Sequence, residues 1–265
     1  MIVWLNGALL PAAEARIDPA DRGFTLGDGL FETIRIAAGR PRHLSRHLAR
    51  LCAGAELLDM PLPWPDDAIG AALIELAAAT RLAEAAARLT LSRGPGPRGL
   101  VPPPAPTPTV LITVAPLPPP SGPVRAVFCG VTRRNEASPL SRIKSTNTLD
   151  AILARQEAER RGAGEAILLN TRGLVAEATV ANIFVRRNGR WLTPPVADGA
   201  LPGIMRGLLL ERADVAEASL APADLMDSEG VVLTSSLGVR MVAALEGQAL
   251  PVAAAEALRL WWSLE

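Results

Sequence analysis

Pro116-Leu117-Pro118-Pro119-Pro120-Ser121-Gly122-Pro123 stands near the middle of the 265-residue chain. Prolines cannot donate the amide hydrogen bond that a central strand needs, and they hold the backbone extended, so this run reads as a stiff linker. It predicts an N-terminal domain over 1–116, the linker over 117–123 and a C-terminal domain over 124–265. At roughly 100–200 residues per domain, the length allows one large or two modest domains. With 49% hydrophobic and 20% charged residues, the chain is globular rather than disordered.

Upstream of the linker, residues 109–114 read as a strand, preceded by another over 87–91. Residues 30–36 alternate apolar and polar with period two, and from Arg42 the spacing turns helical, with Leu44, Leu48, Leu51 and Leu58 forming a stripe. A second helix follows the Pro61–Pro65 break, around 71–79. Residues 2–5 and 8–10 flank Asn6-Gly7 as a hairpin. Downstream, strands are expected over 124–131, 165–169, 180–185, 231–234 and 239–245. Helices are expected over 148–161, from Pro202-Gly203 to Arg212, and over 253–262. Strands and helices interleave without a regular βαβ period or a G-x-G-x-x-G, which disfavours a dinucleotide fold. The fold class is α/β (α+β).

Composition removes several functions. Lys and Arg total 27 against 27 Asp and Glu, so the chain lacks the cationic surplus that nucleic-acid binding requires. Cys52 and Cys129 are far apart in apolar contexts and read as free thiols, which fits a reducing cytosol. The N-terminus has no basic leader, and no window approaches the roughly 18 apolar residues of a membrane span, so the chain reads as soluble and untargeted. His43 and His47 lie at i and i+4 without a cysteine or third histidine nearby, which argues against zinc.

The cations are 26 arginines and one lysine, Lys144. Arginine cannot be deprotonated in proteins, so any chemistry needing a neutral amine has only Lys144 to use. From the count alone, Lys144 is either that amine or a chance survivor on a solvated face.

Four segments decide between these readings. They are Asp21-Arg22-Gly23-Phe24-Thr25-Leu26-Gly27-Asp28-Gly29-Leu30-Phe31-Glu32-Thr33, His47-Leu48-Ala49-Arg50-Leu51, Arg142-Ile143-Lys144-Ser145-Thr146-Asn147, and Glu177 to Phe184 followed by Leu201-Pro202-Gly203-Ile204-Met205-Arg206. In this order and spacing the chain resembles the class IV (fold type IV) pyridoxal-phosphate enzymes over nearly its whole length. The resemblance implies a two-domain protein, with a smaller N-terminal α/β domain and a larger C-terminal pseudo-barrel domain that binds the cofactor, assembled as a homodimer.

It also implies roles. Lys144 holds pyridoxal 5'-phosphate covalently, and Glu177 pairs with the pyridine nitrogen and keeps it protonated. Arg50, the amides of Ile204 and Met205 at a helix start, and the hydroxyls of the Thr234-Ser235-Ser236 loop match the phosphate ligands. Asn182 matches a support for Glu177 or for the ring hydroxyl, or else is structural. Many relatives place a tyrosine just after the lysine segment; this chain has no tyrosine and carries Thr148-Leu149 there.

Within the family, residues 27–33, 93–99, 203–206 and 236–240 look most like the 4-amino-4-deoxychorismate lyases, which make 4-aminobenzoate and pyruvate on the way to folate. Substrate carboxylates call for arginine forks, and Arg98 and Arg240 are the candidates, with Thr33 as a further substrate contact. The alternative is a transaminase acting on D-amino acids or a broad range of amine donors with 2-oxo acids. Leu100 stands where such D-amino-acid enzymes often offer a histidine.

Overall fold

The computed structural model describes residues 1–119 and 122–252, so the helix expected over 253–262 lies outside the described residues. The described chain falls into two compact units, one comprising Met1–Pro118 with Ile143–Asn147 and the other the remainder.

In the first unit, β1 (Ile2–Leu5) and β2 (Ala8–Pro11) form the expected hairpin, followed by the short helix α1 (Arg22–Leu26), β3 (Gly29–Ala37) and β4 (Arg40–Pro41). Then come α2 (Leu44–Leu57), α3 (Asp66–Thr80), β5 (Ala85–Ser92) and β6 (Thr109–Pro116). The sheet is antiparallel in the order β2-β1-β6-β5-β3-β4. The alternation in β3 does what period two requires: Leu30, Ile34 and Ile36 join a core with Leu48 and Leu51 of α2 and Leu73 and Leu76 of α3. Glu32 points the same way, and Phe31 and Thr33 take the other face.

The two ends of the Asp21–Asp28 segment form a polar knot around the buried Asp21 and Arg22, while Phe24 to Leu26 between them are exposed. The Arg22 and Arg93 guanidiniums both reach the Asp28 carboxylate, at 2.9 and 2.7 Å, while Asp21 accepts from the Ser92 and Thr109 hydroxyls. Burial pushes Asp28 up, but the bonds from Arg93 and Arg22 outweigh it and hold the carboxyl below its ordinary range. The segment after β5 is equally constrained, because at Gly94 φ is +82° and a Cβ would lie 1.7 Å from the Thr107 carbonyl oxygen.

Residues 143–147, which the linker-based boundaries assign to the C-terminal domain, pack with the first unit. Phe31 N–H donates to the Lys144 carbonyl and Thr146 N–H to the Gly29 carbonyl, both at 2.9 Å, and Leu30 bridges Ser145. These residues therefore extend the β3 edge, a pairing no local pattern reveals.

The second unit runs β7 (Val124–Phe128), α4 (Leu149–Arg160), β8 (Glu165–Leu169), β9 (Val175–Ala178), β10 (Asn182–Arg187), β11 (Arg190–Thr193), α5 (Ile204–Arg212), β12 (Val215–Glu217), α6 (Pro222–Met226), β13 (Gly230–Ser235), β14 (Gly238–Leu245) and β15 (Gln248–Ala249). Its strands follow the order β12-β11-β10-β13-β14-β7-β8-β9, with β15 on β14, and Ala178 N–H bonds the Ala181 carbonyl where edge strand β9 turns into β10. The sheet thus curls into a half-barrel. One face carries Ile167, Ile183, Val185, Val231, Leu233 and Val242. On the other, Phe184 and Val232 pack under Leu209 of α5, and Leu168 lies in a cluster with Ala154 and Ala158 of α4.

Two expectations need correction. The strand expected over 124–131 stops at Phe128 because the amides of Gly130 and Val131 turn to the Glu157 carboxylate, which removes them from any ladder. Strands β9 and β11 went unanticipated; at four residues each they are too short to show a period. Both cysteines are free thiols, Cys129 buried and Cys52 half-buried. No helix among the described residues is long and apolar enough to cross a membrane.

Candidate active site

The first unit supplies an amine. Lys144 Nζ lies over the Phe31 ring, 4.5 Å from its centroid, and the Arg88 guanidinium lies over the same ring at 3.8 Å. Arg88 on β5 is paired in register with Thr33 on β3, so Phe31, Thr33 and Arg88 share one face of the sheet. Among the described residues Arg88 has no hydrogen bond or ion pair, so its charge remains available to an incoming anion.

On the core face of the same strand sits Glu32, fully buried. His47 Nδ1 lies 2.6 Å from one carboxylate oxygen, and Arg50 donates to both oxygens, Nε at 2.8 Å and the terminal nitrogen at 2.7 Å. Helical spacing explains the pair on α2, since positions 47 and 50 are i and i+3 and project from one side. Burial pushes Glu32 up, yet the bonds from His47 and Arg50 prevail and hold it below the usual carboxylate range. The carboxylate fixes one edge of the Arg50 fork and so sets the direction of its charge. His47, weighed above as a metal ligand, is instead a partner of Glu32.

The second unit supplies a carboxylate and an anion cradle. Glu177 Oε1 pairs with Arg134 Nε at 3.0 Å, and Oε2 accepts the Leu201 amide at 2.9 Å. Asn182 donates from Nδ2 to the Leu201 carbonyl at 2.9 Å and is the register partner of Thr234. Gly203, next to Asn182, opens α5, whose N-terminus has no side-chain cap. The Thr234 hydroxyl is buried with no hydrogen-bond partner, on the face that carries Asn182. An unsatisfied buried hydroxyl costs about 1–3 kcal/mol, and beside an uncapped helix start it marks a place for an anion.

Gly203 is required sterically rather than by its backbone angles. A Cβ there would stand 1.9 Å from Asn182 Oδ1, and the amide that would have to move is held by the Leu201 carbonyl. Gly203→Ala is therefore expected to cost about 1–3 kcal/mol in urea unfolding and to weaken phosphate binding at this turn. Unchanged stability and affinity would show that the turn has room to give.

The remaining candidates separate. Ile204 and Met205 form the first turn of α5 and are buried. Ser235 ends β13, its hydroxyl accepting the Leu237 amide, and Ser236 follows in the turn. Arg98 is exposed on the segment after β5. Arg240 departs from expectation: it pairs in register with Leu233, whereas Thr234 pairs with Val239. Cross-strand partners share a face, so Arg240 lies on the face opposite the Thr234 and Asn182 side chains.

Three participants escaped the sequence reading. Arg88 carried a signal, a lone charge within Ala85-Ala86-Ala87-Arg88-Leu89, whose period sets it apart from the buried positions. Arg134 and Glu32 carried none, because their partners arrive from distant segments.

Residues 29–245 match the class IV amino-transferase family model. The chain belongs to the class IV aminotransferase family. A solved 4-amino-4-deoxychorismate lyase from Pseudomonas aeruginosa is 32% identical, with 98% of this chain and 97% of that one covered and a TM-score of 0.85. A Methanocaldococcus jannaschii protein provisionally named a branched-chain-amino-acid aminotransferase is 32% identical over 89% of this chain and 84% of its own length. The D-alanine aminotransferase of Bacillus licheniformis is 29% identical over 94% and 90%. A Mycobacterium tuberculosis protein described as a hypothetical aminotransferase, solved in a pyridoxal-phosphate-bound form, is 27% identical, covering 98% and 96%, with a TM-score of 0.86.

The class IV enzymes use pyridoxal phosphate, and the residues here fit it. The orphaned Thr234 hydroxyl and the uncapped α5 start suit a phosphate. The Glu177 carboxylate, held by Arg134, suits a protonated ring nitrogen, and the chain's one lysine, Lys144, is the candidate amine.

Proposed function

We propose that the protein is a pyridoxal-phosphate-dependent 4-amino-4-deoxychorismate lyase, forming 4-aminobenzoate and pyruvate. The observation that carries this reading is the placement of the Lys144 amine and the otherwise unpaired Arg88 guanidinium over one aromatic ring. That pairing suits a substrate that bears a carboxylate and must lose a proton. The similarity to a lyase at 32% identity over nearly the full length of both chains supports the same reading.

In this scheme Lys144 would hold the cofactor, Glu177 would pair with its ring nitrogen, and Arg50, Thr234, Ser235, Ser236 and the Ile204 and Met205 amides would hold its phosphate. When bound, pyridoxal phosphate supplies an electron-withdrawing ring that acidifies the carbon next to the substrate nitrogen. The Lys144 amine would be the base that takes the proton from the ring carbon bearing the substrate's nitrogen. The bond between the adjacent ring carbon and the enolpyruvyl oxygen would then break, the carbocycle becoming aromatic, and the expelled enolate would take up one proton, balancing the one removed, to become pyruvate. Arg88 and the exposed Arg98 are the substrate's carboxylate anchors, with Thr33 beside Arg88.

A transaminase is the second reading, supported by the relatives from Methanocaldococcus jannaschii and Bacillus licheniformis. The enzyme is further proposed to work as a homodimer; α4 leaves Leu149, Ile152 and Leu153 exposed, an apolar surface that a second copy could cover. Sedimentation at a monomer's mass would remove that part.

The deciding assay supplies aminodeoxychorismate, generated in situ, to the cofactor-loaded enzyme and follows 4-aminobenzoate, with Lys144→Ala as the blank. Lys144-dependent product is the expected result. A yellow enzyme that yields none, yet exchanges amino groups between D-amino acids and 2-oxo acids, would move the assignment to the transaminase.

A further inference from the structure

Three backbone carbonyls of the turn that leads into α5, and the Leu201 amide, are held by side chains from other segments. Asn170 Nδ2 donates to the Asp198 carbonyl at 3.1 Å, and Arg134 Nε donates to the Gly199 carbonyl at 3.2 Å. The Leu201 amide goes to Glu177 and the Leu201 carbonyl to Asn182. Arg134 is the member that touches both the turn and the carboxylate: Nε also faces Glu177 Oε1 at 3.0 Å, while a terminal nitrogen reaches the Ser141 carbonyl at 3.1 Å. Its own backbone is fixed by the Leu169 carbonyl, which accepts the Arg134 amide. The residue is thus anchored at three points, two on the guanidinium and one on the backbone, besides its contact with Glu177.

We infer that Arg134 is a positioning residue for the cofactor's ring nitrogen, acting through Glu177. A lone carboxylate on this partly buried face could rotate about its last bond or take up a proton. Either event would end its preference for a protonated nitrogen. With Arg134 on one oxygen and the Leu201 amide on the other, the plane of the carboxylate is set. The same contacts bind its orientation to the turn that opens α5, so the ring end and the phosphate end of the cradle are held by one set of bonds. The inference rests on the reading of Glu177 as the ring-nitrogen partner.

The test measures affinity, not turnover. Full-length chain freed of cofactor is titrated with pyridoxal phosphate and with its deaza isostere, in which a C–H replaces the ring nitrogen. A charge-assisted hydrogen bond corresponds to about 10–100-fold in affinity, and the wild-type chain should prefer the natural cofactor by that factor. Glu177→Gln should bring the ratio to near one, and Arg134→Gln to within about threefold of one. Arg134→Lys keeps the charge but cannot span Glu177, Gly199 and Ser141 together. It should retain the ratio while its urea midpoint falls.

If Arg134→Gln weakens both ligands equally and leaves the ratio intact, Arg134 is only a structural clamp and the inference is overturned. A ratio that rises has the same consequence. If Arg134→Gln does not fold, Arg134→Met takes its place under the same outcomes: a ratio near one upholds the inference and an intact ratio overturns it. A wild-type ratio near one, or no response to Glu177→Gln, removes the reading of Glu177 itself. That outcome is recognised before any Arg134 variant is compared.

Discussion

Lys144→Ala is expected to abolish covalent attachment of the cofactor and to lower turnover by about 10³-fold or more, on the scale of a lost nucleophile and general base. The loss has no internal remedy, because the other 26 cations are arginines and cannot supply a neutral amine. The substitution should leave the fold intact. The Lys144 carbonyl accepts the Phe31 amide, and its neighbours bond to Gly29 and Gly27 through backbone atoms and the Thr146 hydroxyl. None of these contacts involves the lysine side chain. Borohydride treatment followed by peptide mass mapping checks the attachment: the wild-type peptide containing residue 144 should gain the reduced cofactor, and the variant should not. An added small amine should restore part of the proton-transfer rate. A variant with wild-type turnover and an unfolding midpoint like the parent's would contradict the whole chemical assignment.

Glu32→Gln is the substitution with the largest expected effect on stability. The carboxylate is fully buried and meets three nitrogens, one from His47 and two from Arg50. Glutamine has nearly the same shape but no charge, and its amide can turn a donor toward arginine donors. Removing one partner of a buried pair in this way costs about 3–5 kcal/mol, which chemical unfolding at pH 7 should read as a large fall in midpoint. The pH dependence follows from the depressed acidity of Glu32. Between its folded value and the unfolded value of about 4.3, the unfolded chain binds more protons, so stability rises with pH there. This contribution is complete above the unfolded value and is lost as pH falls through the folded one. The gap between wild type and Glu32→Gln should therefore be widest at neutral pH and narrow in acid. A gap that stays constant down to the acid transition would mean that Glu32 is not charged in the native protein.

Much of the fold is legible locally. The period-two alternation of residues 30–36, the leucine stripe from 44 to 58 and the Asn6-Gly7 turn express short-range rules, and the corresponding elements stand where those rules put them. The failures have physical causes of one kind. Residues 143–147 join the first unit by pairing with β3 more than a hundred residues earlier. Strands β9 and β11 exist because neighbours in the sheet complete their hydrogen bonds, not because four residues can declare a period.

The candidate site divides along the same line. The candidate amine follows from the sequence alone, since a chain with one lysine offers only Lys144. The roles of the arginines were decided by tertiary structure. In sequence Arg50, Arg88, Arg134 and Arg240 are interchangeable long cations; in the folded chain one is fixed by a buried glutamate, one lies open over an aromatic ring, and one is shared between a carboxylate and a turn. The fourth is turned to the opposite face by the β13–β14 register. A guanidinium has no local preference for an anion, so its function is set by which distant segment chain closure brings within 3 Å.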